Sequence, residues 1–285
     1  MSQLLSVQSG RSLEGGLTIP QAEASTPTVG EAGRVVVLLP ALNEARSIGR
    51  VIDQIPREPF EQRGYDVSVW VVDGHSEDAT LDVARRRGAS VFVQRGNGKG
   101  SGVRQAFEHL FCPEDHGGEN RAKRCFFFMM DSDGTYPPQR TAALLRALEA
   151  GNDVVLGSRF LGRIDDDAIT GFNRIGNRIL SLLARILYGV PVSDVCTGMW
   201  GFNESFLRRS DLMANGFDLE ADIFACACRL NAKFAEIPVD YYRRVGEPKL
   251  VPIRAGFLIA WCLIKRWLFP PAGRPSVQDS QRPLR

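Results

Sequence analysis

The sequence predicts an α/β fold in which a mostly parallel central sheet is flanked by helices. Short apolar runs typical of buried strands alternate along the chain with segments of helical periodicity. Such alternation implies parallel strands joined by right-handed crossovers. The chain has 285 residues, of which 44% are hydrophobic. It is therefore long and apolar enough to bury the core of one large domain or of two small ones.

Five runs are predicted as strands because they are apolar, often β-branched, and bounded by turn residues. They are residues 34–40, 67–72, 90–93, 125–130 and 153–157. Helical segments are predicted between them. Asn43 is expected to cap the first, in which the apolar side chains of residues 48–55 share one face. The later helical segments are about residues 80–87, a segment that ends at Leu110, and about residues 138–150.

The most informative feature is the apolar run 125–130, which ends abruptly in Asp131-Ser132-Asp133-Gly134. Two carboxylates thus follow the carboxyl end of a predicted strand, where ligands bind in open α/β sheets. Carboxylates two positions apart on a bent loop can share one Mg²⁺, which proteins hold through one or two carboxylates and substrate phosphates. The same residue types also favour ordinary turns. The motif alone leaves open a metal–diphosphate site and a polar turn.

Polar residues recur after other predicted strands. Residues 40–44 follow the first strand and residues 73–78 the second, just as Asp131 and Asp133 follow the fourth. Three such loops from one sheet edge can converge on one ligand, which favours a metal–nucleotide site over turn chemistry alone. Asp73 and Asp78 could still be helix caps, and for Asp78 capping is the favoured interpretation.

The glycine-rich segment 96–102, which contains Lys99, fits neither of two familiar phosphate-binding patterns. It lacks the spacings Gly-x-x-x-x-Gly-Lys-Ser/Thr and Gly-x-Gly-x-x-Gly, and it follows the third strand, not the first. A nicotinamide enzyme and a P-loop ATPase are therefore disfavoured. The glycines could let a diphosphate or a sugar approach the backbone, with Lys99 adding charge, or they could form a flexible loop before a helix.

Residues 172–188 are predicted to form an amphipathic helix. Its apolar face carries Ile179, Leu182, Leu183, Ile186 and Leu187. Its opposite face carries Arg174, Arg178, Ser181 and Arg185. Guanidinium groups bind phosphate in a fork, so this stripe could hold a phosphate, although a charged stripe is more often a solvated surface. Arg159, which follows the fifth predicted strand, lies at the same edge of the sheet.

The last third of the chain offers three further features. Glu220 and Asp222 would not face each other on a helix, which disfavours a second metal site there. The basic loop 243–250 contains Lys249 and could close over a diphosphate. The segment 256–264 is apolar and is followed by Lys265-Arg266 and Trp267-Leu268-Phe269, so it is shorter than the roughly 20 residues that span a bilayer. Its tryptophans lie beside basic residues, which suits a membrane interface, but the helix could also pack on the core or on a partner.

Composition argues against several other classes of protein. A net charge of +2 disfavours a general nucleic-acid binder. The six cysteines form no Cys-x-x-Cys pair and the three histidines no zinc motif, so reduced thiols in a cytosolic protein are expected. The chain lacks the Gly-x-Ser-x-Gly elbow of serine hydrolases. Residues 1–33 and 271–285 are expected to be flexible tails, and the first lacks an apolar core long enough for a signal peptide.

Five motifs occur in an order and at spacings that make the set specific. They are LPALNE (residues 39–44), VDGHSED (72–78), DSDGTYPP (131–138), GSR (157–159) and DVCTG (194–198). Together they resemble glycosyltransferase family 2, and within it the dolichyl- or polyprenyl-phosphate mannose synthases. The resemblance covers roughly residues 34–250. It implies a glycosyltransferase-A (Rossmann-like) fold, a GDP- or UDP-sugar donor, and inversion at the anomeric carbon.

The resemblance also implies roles for individual residues. The nucleoside would be held by Pro40, Ala41, Glu44 and Asp73. The diphosphate and a Mg²⁺ or Mn²⁺ ion would be held by Asp131 and Asp133. The charge of Lys99 in the glycine-rich segment, and not the resemblance, assigns it to nucleotide-sugar binding. The acceptor phosphate would be held by Arg159, Arg178 and Ser181. Lys249 would reach the diphosphate, and Asp133, Arg159 and Lys249 would form the catalytic group. The subgroup often has Gln-His where this chain has Thr135-Tyr136, which leaves a third protein ligand of the metal unassigned.

The sequence thus predicts a catalytic domain at residues 34–250 and an amphipathic, membrane-interfacial helix at residues 251–270. The predicted enzyme transfers a hexose, preferably mannose, to polyprenyl or dolichyl phosphate at the cytosolic face of a membrane. A phosphate acceptor is already anionic and needs no base, whereas a hydroxyl acceptor would need Glu220, Asp222 or Asp194. Two alternatives stay open: a family 2 enzyme with a soluble hydroxyl acceptor, and an inert binding subunit that recruits a partner.

Overall fold

The computed structural model describes residues 33–111, 124–246 and 252–269, so Lys249 and nearly all of both predicted tails lie outside the described residues. Within these described residues, seven strands form one sheet. They are β1 (Gly33–Ala41), β2 (Tyr65–Asp73), β3 (Ser90–Val93), β4 (Cys125–Met130), β5 (Val154–Ser158), β6 (Met199–Asn203) and β7 (Phe234–Pro238). The first five lie where the sequence predicts strands.

Helices connect the strands. The first group is α1 (Ile48–Asp53), α2 (Arg57–Glu61), α3 (Thr80–Arg86), α4 (Lys99–Leu110) and α5 (Thr141–Glu149), the last preceded by a 3₁₀ turn at Pro138–Arg140. The second group is α6 (Gly171–Tyr188), α7 (Glu204–Arg209), α8 (Leu219–Arg229) and α9 (Pro252–Leu268). The helix predicted at 172–188 is α6, and α9 lies within the segment predicted as a C-terminal helix.

The strand order is β3-β2-β1-β4-β6-β5-β7. Strand β6 is antiparallel to both of its neighbours, and the other pairings of the sheet are parallel. The predicted α/β fold with a mostly parallel sheet is therefore confirmed. The sequence did not reveal β6, because this short strand contains Gly201 and is buried along nearly all its length, which removes the alternation typical of a half-buried strand.

Alternate residues of β1 supply two core layers, one on each face of the sheet. Val35, Val37 and Leu39 belong to the layer that also holds residues of α1, α3 and α5. Val36 and Leu38 belong to the layer with residues of α4, α6, α8 and α9. Since β2, β1 and β4 are parallel neighbours, their carboxyl ends lie side by side. We call this region the carboxyl edge.

The prediction that Asn43 caps the first helix is wrong. The N-cap of α1 is Ser47, and Asn43 has a positive φ of 51°. The Asn43 side chain instead accepts a hydrogen bond from the backbone N–H of Glu77 at 2.8 Å, and the backbone N–H of Asn43 donates to Ser76 Oγ at 2.9 Å. Asn tolerates this left-handed backbone conformation better than most residues. Asn43 therefore joins the loops after β1 and β2.

Helix α6 turns most of its predicted apolar face outward. Ile179, Leu182 and Ile186 are 60%, 53% and 71% exposed, whereas Leu180, Ser181 and Ala184 are buried. Leu183 and Leu187 are partly buried against the core. The helix begins at Thr170, whose side chain accepts from Asn173 N–H, and ends at Gly189 in the left-handed conformation. Both helix ends follow ordinary capping rules, but tertiary packing decides which side faces inward.

Helix α9 packs beside α6, and the Tyr188 hydroxyl donates to the Leu263 carbonyl at 2.9 Å. Large apolar side chains of α9 are exposed next to those of α6. They include Ile253, Phe257, Leu258, Trp261, Trp267 and Leu268. We call the exposed apolar surface of α6 and α9 the apolar face. Within the described residues, neither these helices nor any other has the length and hydropathy required to cross a bilayer.

Candidate active site

The loops after β1, β2 and β4 are joined at the carboxyl edge. Ser132 Oγ donates to the Pro40 carbonyl at 2.6 Å, and the Glu44 N–H donates to Thr80 Oγ1 at 2.8 Å. The buried Asp73 carboxylate accepts from the backbone N–H groups of His75 and Ser76. It thereby organises the turn after β2. The convergence expected from the sequence is present in the structure.

Two positively charged side chains contact Asp131 and Asp133, which we call the acidic pair. Lys99 Nζ lies 2.5 Å from Asp131 Oδ1, and Arg244 Nη1 lies 2.7 Å from Asp133 Oδ2. Arg244 also pairs with Glu44, and Lys99 Nζ lies 2.6 Å from Glu220 Oε1. These contacts join four carboxylates to two cations, so the cluster carries a formal charge of −2. A divalent cation would balance that charge, and carboxylate oxygens are the ligands that Mg²⁺ and Mn²⁺ prefer.

Burial and mutual repulsion perturb the acidic groups. Burial and the neighbouring Asp131 charge raise the pKa of Asp133, against the opposing effects of Thr135 and Arg244. Burial also raises the pKa of Glu220, although Lys99 favours its charged form. Burial alone would lower the pKa of Lys99, but the charges of Asp131 and Glu220 outweigh it and raise that pKa. Perturbed groups gathered in one cavity are typical of a functional site.

Small and hydroxyl-bearing residues fix the position of Asp131. Gly198 packs so closely on its carboxylate that a Cβ atom at residue 198 would overlap Asp131 Oδ2. The Gly198 N–H donates to the Tyr136 hydroxyl at 2.7 Å. Asp133 is fixed by Thr135, whose N–H and hydroxyl both donate to Asp133 Oδ1. Tyr136 thus supports the site through the backbone, at a position where family resemblance suggested a metal ligand.

The glycines of segment 96–102 have a packing role that neither sequence interpretation foresaw. A Cβ atom on Gly98 or on Gly100 would overlap a backbone carbonyl of the loop before α8. Two backbone N–H groups in the first turn of α4 also donate to carbonyls of that loop, at 3.2 and 3.0 Å. The start of α4 therefore docks directly on the loop before α8. This contact places Lys99 beside Glu220.

Arg159 is tied to a buried carboxylate. Its Nε and Nη2 atoms each lie 2.7 Å from an oxygen of Asp194, and its backbone N–H donates to the same carboxylate at 3.0 Å. The guanidinium also lies over the ring of Tyr241, 5.2 Å from the ring centroid. This fork leaves Nη1 as the part of the guanidinium that Asp194 does not use. Burial alone would lower the pKa of Arg159, but the Asp194 charge raises it, so the group stays charged.

A cavity of about 1200 Å³ runs from the acidic pair to the gap between α6 and α9. Seven of the residues assigned from the sequence line it: Pro40, Ala41, Glu44, Lys99, Asp131, Asp133 and Arg159. At its other end the lining comes from Phe172, Gly176 and Leu180 of α6 and from Pro252, Gly256 and Ile259 of α9. One cavity therefore connects a charged end to an end that is lined mostly by apolar residues, with Asn173 and Asn177 among them.

The structure does not bring every predicted residue to this cavity. Arg178 and Ser181 line a separate cavity of about 320 Å³, together with Phe160 and Arg185. Arg178 lies over the Phe160 ring, and Ser181 Oγ accepts from the Val195 N–H at 3.1 Å. The assignment of these two residues to an acceptor phosphate stays a prediction. So do the roles of Asp73, whose carboxylate is used in its own turn, and of Lys249, which lies outside the described residues.

Two sets of residues were missed by sequence reasoning. Arg244 was part of a basic loop, but only the fold brings it to Asp133 and Glu44, 111 and 200 positions away. Asn173 and Asn177 line the large cavity from α6. Their spacing of four, with Gly176 and Leu180, marks one side of a helix, and that pattern was available in the sequence. The more conspicuous arginine stripe obscured it.

The protein ligands available to a metal are few. Among residues 33–111, 124–246 and 252–269, no three His, Cys, Asp or Glu side chains form a group that could hold a metal ion. Asp131 and Asp133 therefore stay the predicted metal ligands, and further ligands would have to come from elsewhere. This donor set fits Mg²⁺ or Mn²⁺, which commonly combine one or two carboxylates with substrate phosphates.

Comparison with known proteins decides the family. The family model described as glycosyl transferase family 2 matches residues 36–210. The chain belongs to glycosyl transferase family 2. A Haloferax volcanii protein named Glycosyltransferase AglJ is 34% identical over 236 residues, which cover 81% of this chain and 71% of that protein. These findings confirm the prediction that this chain is an enzyme, a glycosyltransferase.

Other family 2 relatives carry more specific names. A dolichyl-phosphate hexose transferase of Haloferax volcanii is 30% identical, with 81% of this chain and 92% of that protein covered. An undecaprenyl-phosphate mannosyltransferase of Micrococcus luteus is 29% identical, with 82% and 96% covered. The predicted resemblance to polyprenyl-phosphate sugar transferases is thereby confirmed.

Solved structures identify the fold. Glucosyl-3-phosphoglycerate synthase from Mycobacterium tuberculosis, in complex with Mn²⁺ and UDP-glucose, aligns with a TM-score of 0.61. It is 21% identical, and the alignment covers 84% of this chain and 81% of that chain. The predicted glycosyltransferase-A fold is therefore confirmed for this family 2 protein.

Proposed function

We propose that this glycosyltransferase moves a hexose, with mannose the preferred candidate, from a nucleoside diphosphate sugar to a polyprenyl phosphate at a membrane surface. The observation that carries the proposal is the single cavity that joins the acidic pair to an apolar gap between α6 and α9. A charged donor and an acceptor with an anionic head and an apolar chain need those two environments side by side. The names of two relatives support this choice of acceptor.

The donor end of the cavity suits a metal-bound diphosphate. Asp131 and Asp133 would hold Mg²⁺ or Mn²⁺, which supplies charge neutralisation for the departing nucleoside diphosphate. Among the described residues, Lys99 and Arg244 are the positively charged side chains that contact Asp131 and Asp133. Pro40, Ala41 and Glu44 line the adjoining wall, where the nucleoside would lie. Glucosyl-3-phosphoglycerate synthase, which binds Mn²⁺ and UDP-glucose, has the same fold.

The carboxylates that could serve as a base for a hydroxyl acceptor are all engaged. Asp194 accepts three hydrogen bonds from Arg159. Glu220 is paired with Lys99, and the buried Asp222 accepts from the N–H groups of Met213 and Ala214 and pairs with Arg266. A phosphate acceptor is anionic at neutral pH and attacks without a base. This favours a phosphate over a hydroxyl acceptor.

The apolar end of the cavity suits an isoprenoid chain. Gly176 and Gly256 line it from α6 and α9, and a Cβ atom at either position would meet nothing within 4 Å. The gap therefore has room beside both helices. A hydrophobic chain in this gap would place its phosphate towards Arg159 and the asparagines of α6, which line the same cavity.

The apolar face supports the proposal of a membrane partner, because all the charged residues of its two helices are basic. Neither α6 nor α9 contains Asp or Glu. The exposed basic residues of the two helices are Arg174, Arg178, Arg185, Arg254 and Lys265. Exposed Trp, Phe and Ile side chains beside basic residues are typical of helices that lie in the interface of an anionic bilayer. The cytosolic side of that bilayer stays a prediction.

Radiolabelled sugar transfer tests the proposal. GDP-mannose and UDP-glucose would be offered with a short polyprenyl phosphate, or with 3-phosphoglycerate as a soluble acceptor, in Mn²⁺, Mg²⁺ or EDTA. We expect a chloroform-soluble product that requires the metal. Turnover with the soluble acceptor alone would contradict the lipid acceptor. Absence of both transfer and donor hydrolysis would support an inert binding subunit.

Matched glycine variants test the lipid end of the cavity. We expect Gly256→Trp to fill the gap and lower kcat/KM for polyprenyl phosphate at least tenfold, while donor hydrolysis in the absence of acceptor stays unchanged. Gly171→Trp is the control, because residue 171 lies on α6 outside the cavity lining and its Cβ would also meet nothing within 4 Å. Equal activity of the two variants would show that the acceptor binds elsewhere.

A further inference from the structure

Lys99 lies between two carboxylates that belong to different parts of the site. Its Nζ is 2.5 Å from Asp131 Oδ1 and 2.6 Å from Glu220 Oε1, and only 13% of its side chain is exposed. Asp131 is one of the carboxylates that would hold the metal, whereas Glu220 projects from α8. The ammonium and a divalent cation would therefore use the same carboxylate, that of Asp131.

The backbone around Lys99 is held firmly. Lys99 begins α4, and the preceding Gly98 has a φ of 103°, which non-glycine residues avoid. Gly98 and Gly100 pack directly against the loop before α8. The backbones that carry Lys99 and Glu220 therefore cannot move apart without breaking this contact. The Lys99 side chain can still move, because a lysine has a flexible four-carbon stem. It can leave Asp131 while it stays on Glu220.

We propose that Lys99 and the divalent cation compete for Asp131, and that Glu220 is a positioning residue that receives the displaced ammonium. The inference rests on the proposed metal role of Asp131. Held by Glu220 alone, the ammonium faces the cavity, where it stabilises the negative charge of the nucleoside diphosphate. Lys99 thus has two opposite effects: it weakens binding of the metal alone, and it strengthens binding of the diphosphate once the metal is in place.

The double variant Lys99→Met/Glu220→Gln separates displacement from a general electrostatic effect. It removes one cation and one anion, so the net charge of the cluster is unchanged and no unpaired carboxylate is left buried at residue 220. The single Lys99→Met variant would leave such a carboxylate and could fail to fold. Thermal melts of the double variant and the wild type check that the fold is retained.

Mn²⁺ binding without nucleotide, measured by electron paramagnetic resonance, is the first readout. We expect the double variant to bind Mn²⁺ roughly three- to tenfold more tightly than the wild type, because the competing ion pair is gone. Glu220→Gln alone removes the carboxylate that would receive the displaced ammonium. Lys99 then stays on Asp131, and Mn²⁺ binding should weaken. Arg243→Met is the control, since Arg243 lines the cavity without a described bond to Asp131, and it should change Mn²⁺ affinity much less.

Nucleoside diphosphate binding at saturating Mn²⁺, measured by calorimetry with UDP and GDP in turn, is the second readout. Here the double variant should bind roughly tenfold more weakly, because a charge-assisted contact to the diphosphate is lost. Opposite shifts in the two assays support the exchange. An unchanged or weaker Mn²⁺ affinity, including no binding by either protein, would overturn it. A wild type that binds Mn²⁺ but neither nucleotide would instead contradict the proposed function.

Discussion

The carboxyl edge and the apolar face differ in what they bury. At the carboxyl edge, charged groups are withdrawn from water in pairs, as in Lys99 with Asp131 and Arg159 with Asp194. On the apolar face, large hydrophobic side chains such as Ile186 and Phe257 are left in contact with solvent. Both arrangements cost free energy in an isolated soluble protein, through desolvation in one case and exposed apolar area in the other.

The difference indicates which kind of partner each region binds. Paired charges at the carboxyl edge suit a small, highly charged ligand, which can exchange with the protein's own ion pairs. A wide apolar surface with a basic rim suits an extended apolar partner with anionic groups. The cavity that joins the two regions is the structural reason to assign both partners to one reaction. Four predictions test this comparison, from the largest expected effect to the smallest.

The largest effect is expected at the acidic pair. Asp131→Asn and Asp133→Asn keep the shape of the side chain but remove the charge that a metal requires. We expect each to lower the transfer rate by about 10³-fold or more, because metal charge stabilisation supplies several kcal/mol. Radiometric assays across a Mn²⁺ titration measure this. Asp165→Asn, at a partly exposed carboxylate beside Arg163, is the control and should leave the rate unchanged. Full activity without the pair would remove the basis of the donor site.

The buried Arg159–Asp194 pair should dominate stability at the same edge. Asp194→Asn leaves a buried guanidinium without its counter-charge, and we expect a loss of about 3 kcal/mol in the free energy of unfolding. Urea denaturation measures it. Glu204→Gln breaks the more exposed pair with Arg208 and should cost less than about 0.5 kcal/mol. Similar losses in the two variants would show that the charges of the carboxyl edge are not effectively buried.

The apolar face should control membrane binding without affecting folding. The double variant Ile179→Glu/Trp261→Glu replaces one exposed apolar side chain on each helix. We expect its partition onto vesicles with anionic lipid to fall about tenfold or more, because apolar area and charge attraction are both lost. Vesicle co-sedimentation measures it, with Val93→Glu as an exposed control at β3. If the variant instead changes only the oligomeric state, the face binds a second copy of the chain.

The smallest effect is expected where the loops after β1 and β2 meet. Asn43→Gly keeps the positive φ but removes the side-chain bond to the Glu77 N–H. We expect a loss of about 1 kcal/mol in the free energy of unfolding, the usual contribution of one hydrogen bond. Thermal denaturation at several urea concentrations measures it. Asn43→Ala should cost more, since it also introduces strain at that φ. A loss well below about 1 kcal/mol in the glycine variant would show that the bond contributes little.

Much of the carboxyl edge could be predicted from the sequence. A buried strand such as β4 has a strong local signature, and a parallel sheet brings the residues after its strands to one edge. The local patterns were therefore sufficient to place Asp131, Asp133 and Glu44 together. Strand β6 could not be predicted, because a short, almost fully buried strand that contains glycine has no distinctive periodicity. Its antiparallel insertion between β4 and β5 depends on long-range packing.

The orientation of α6 was decided by tertiary structure alone. Its sequence defines an apolar side and a basic side, and in a soluble protein the apolar side is expected to face the core. The structure turns Ile179 and Ile186 outward and packs Ser181 and Ala184 inward, because small side chains fit closely against the neighbouring elements. The sequence by itself determined the first five strands, the acidic motif and the family. The pairing of Lys99 and Arg244 with that motif, and the apolar face, required the fold, because they join residues that lie far apart along the chain.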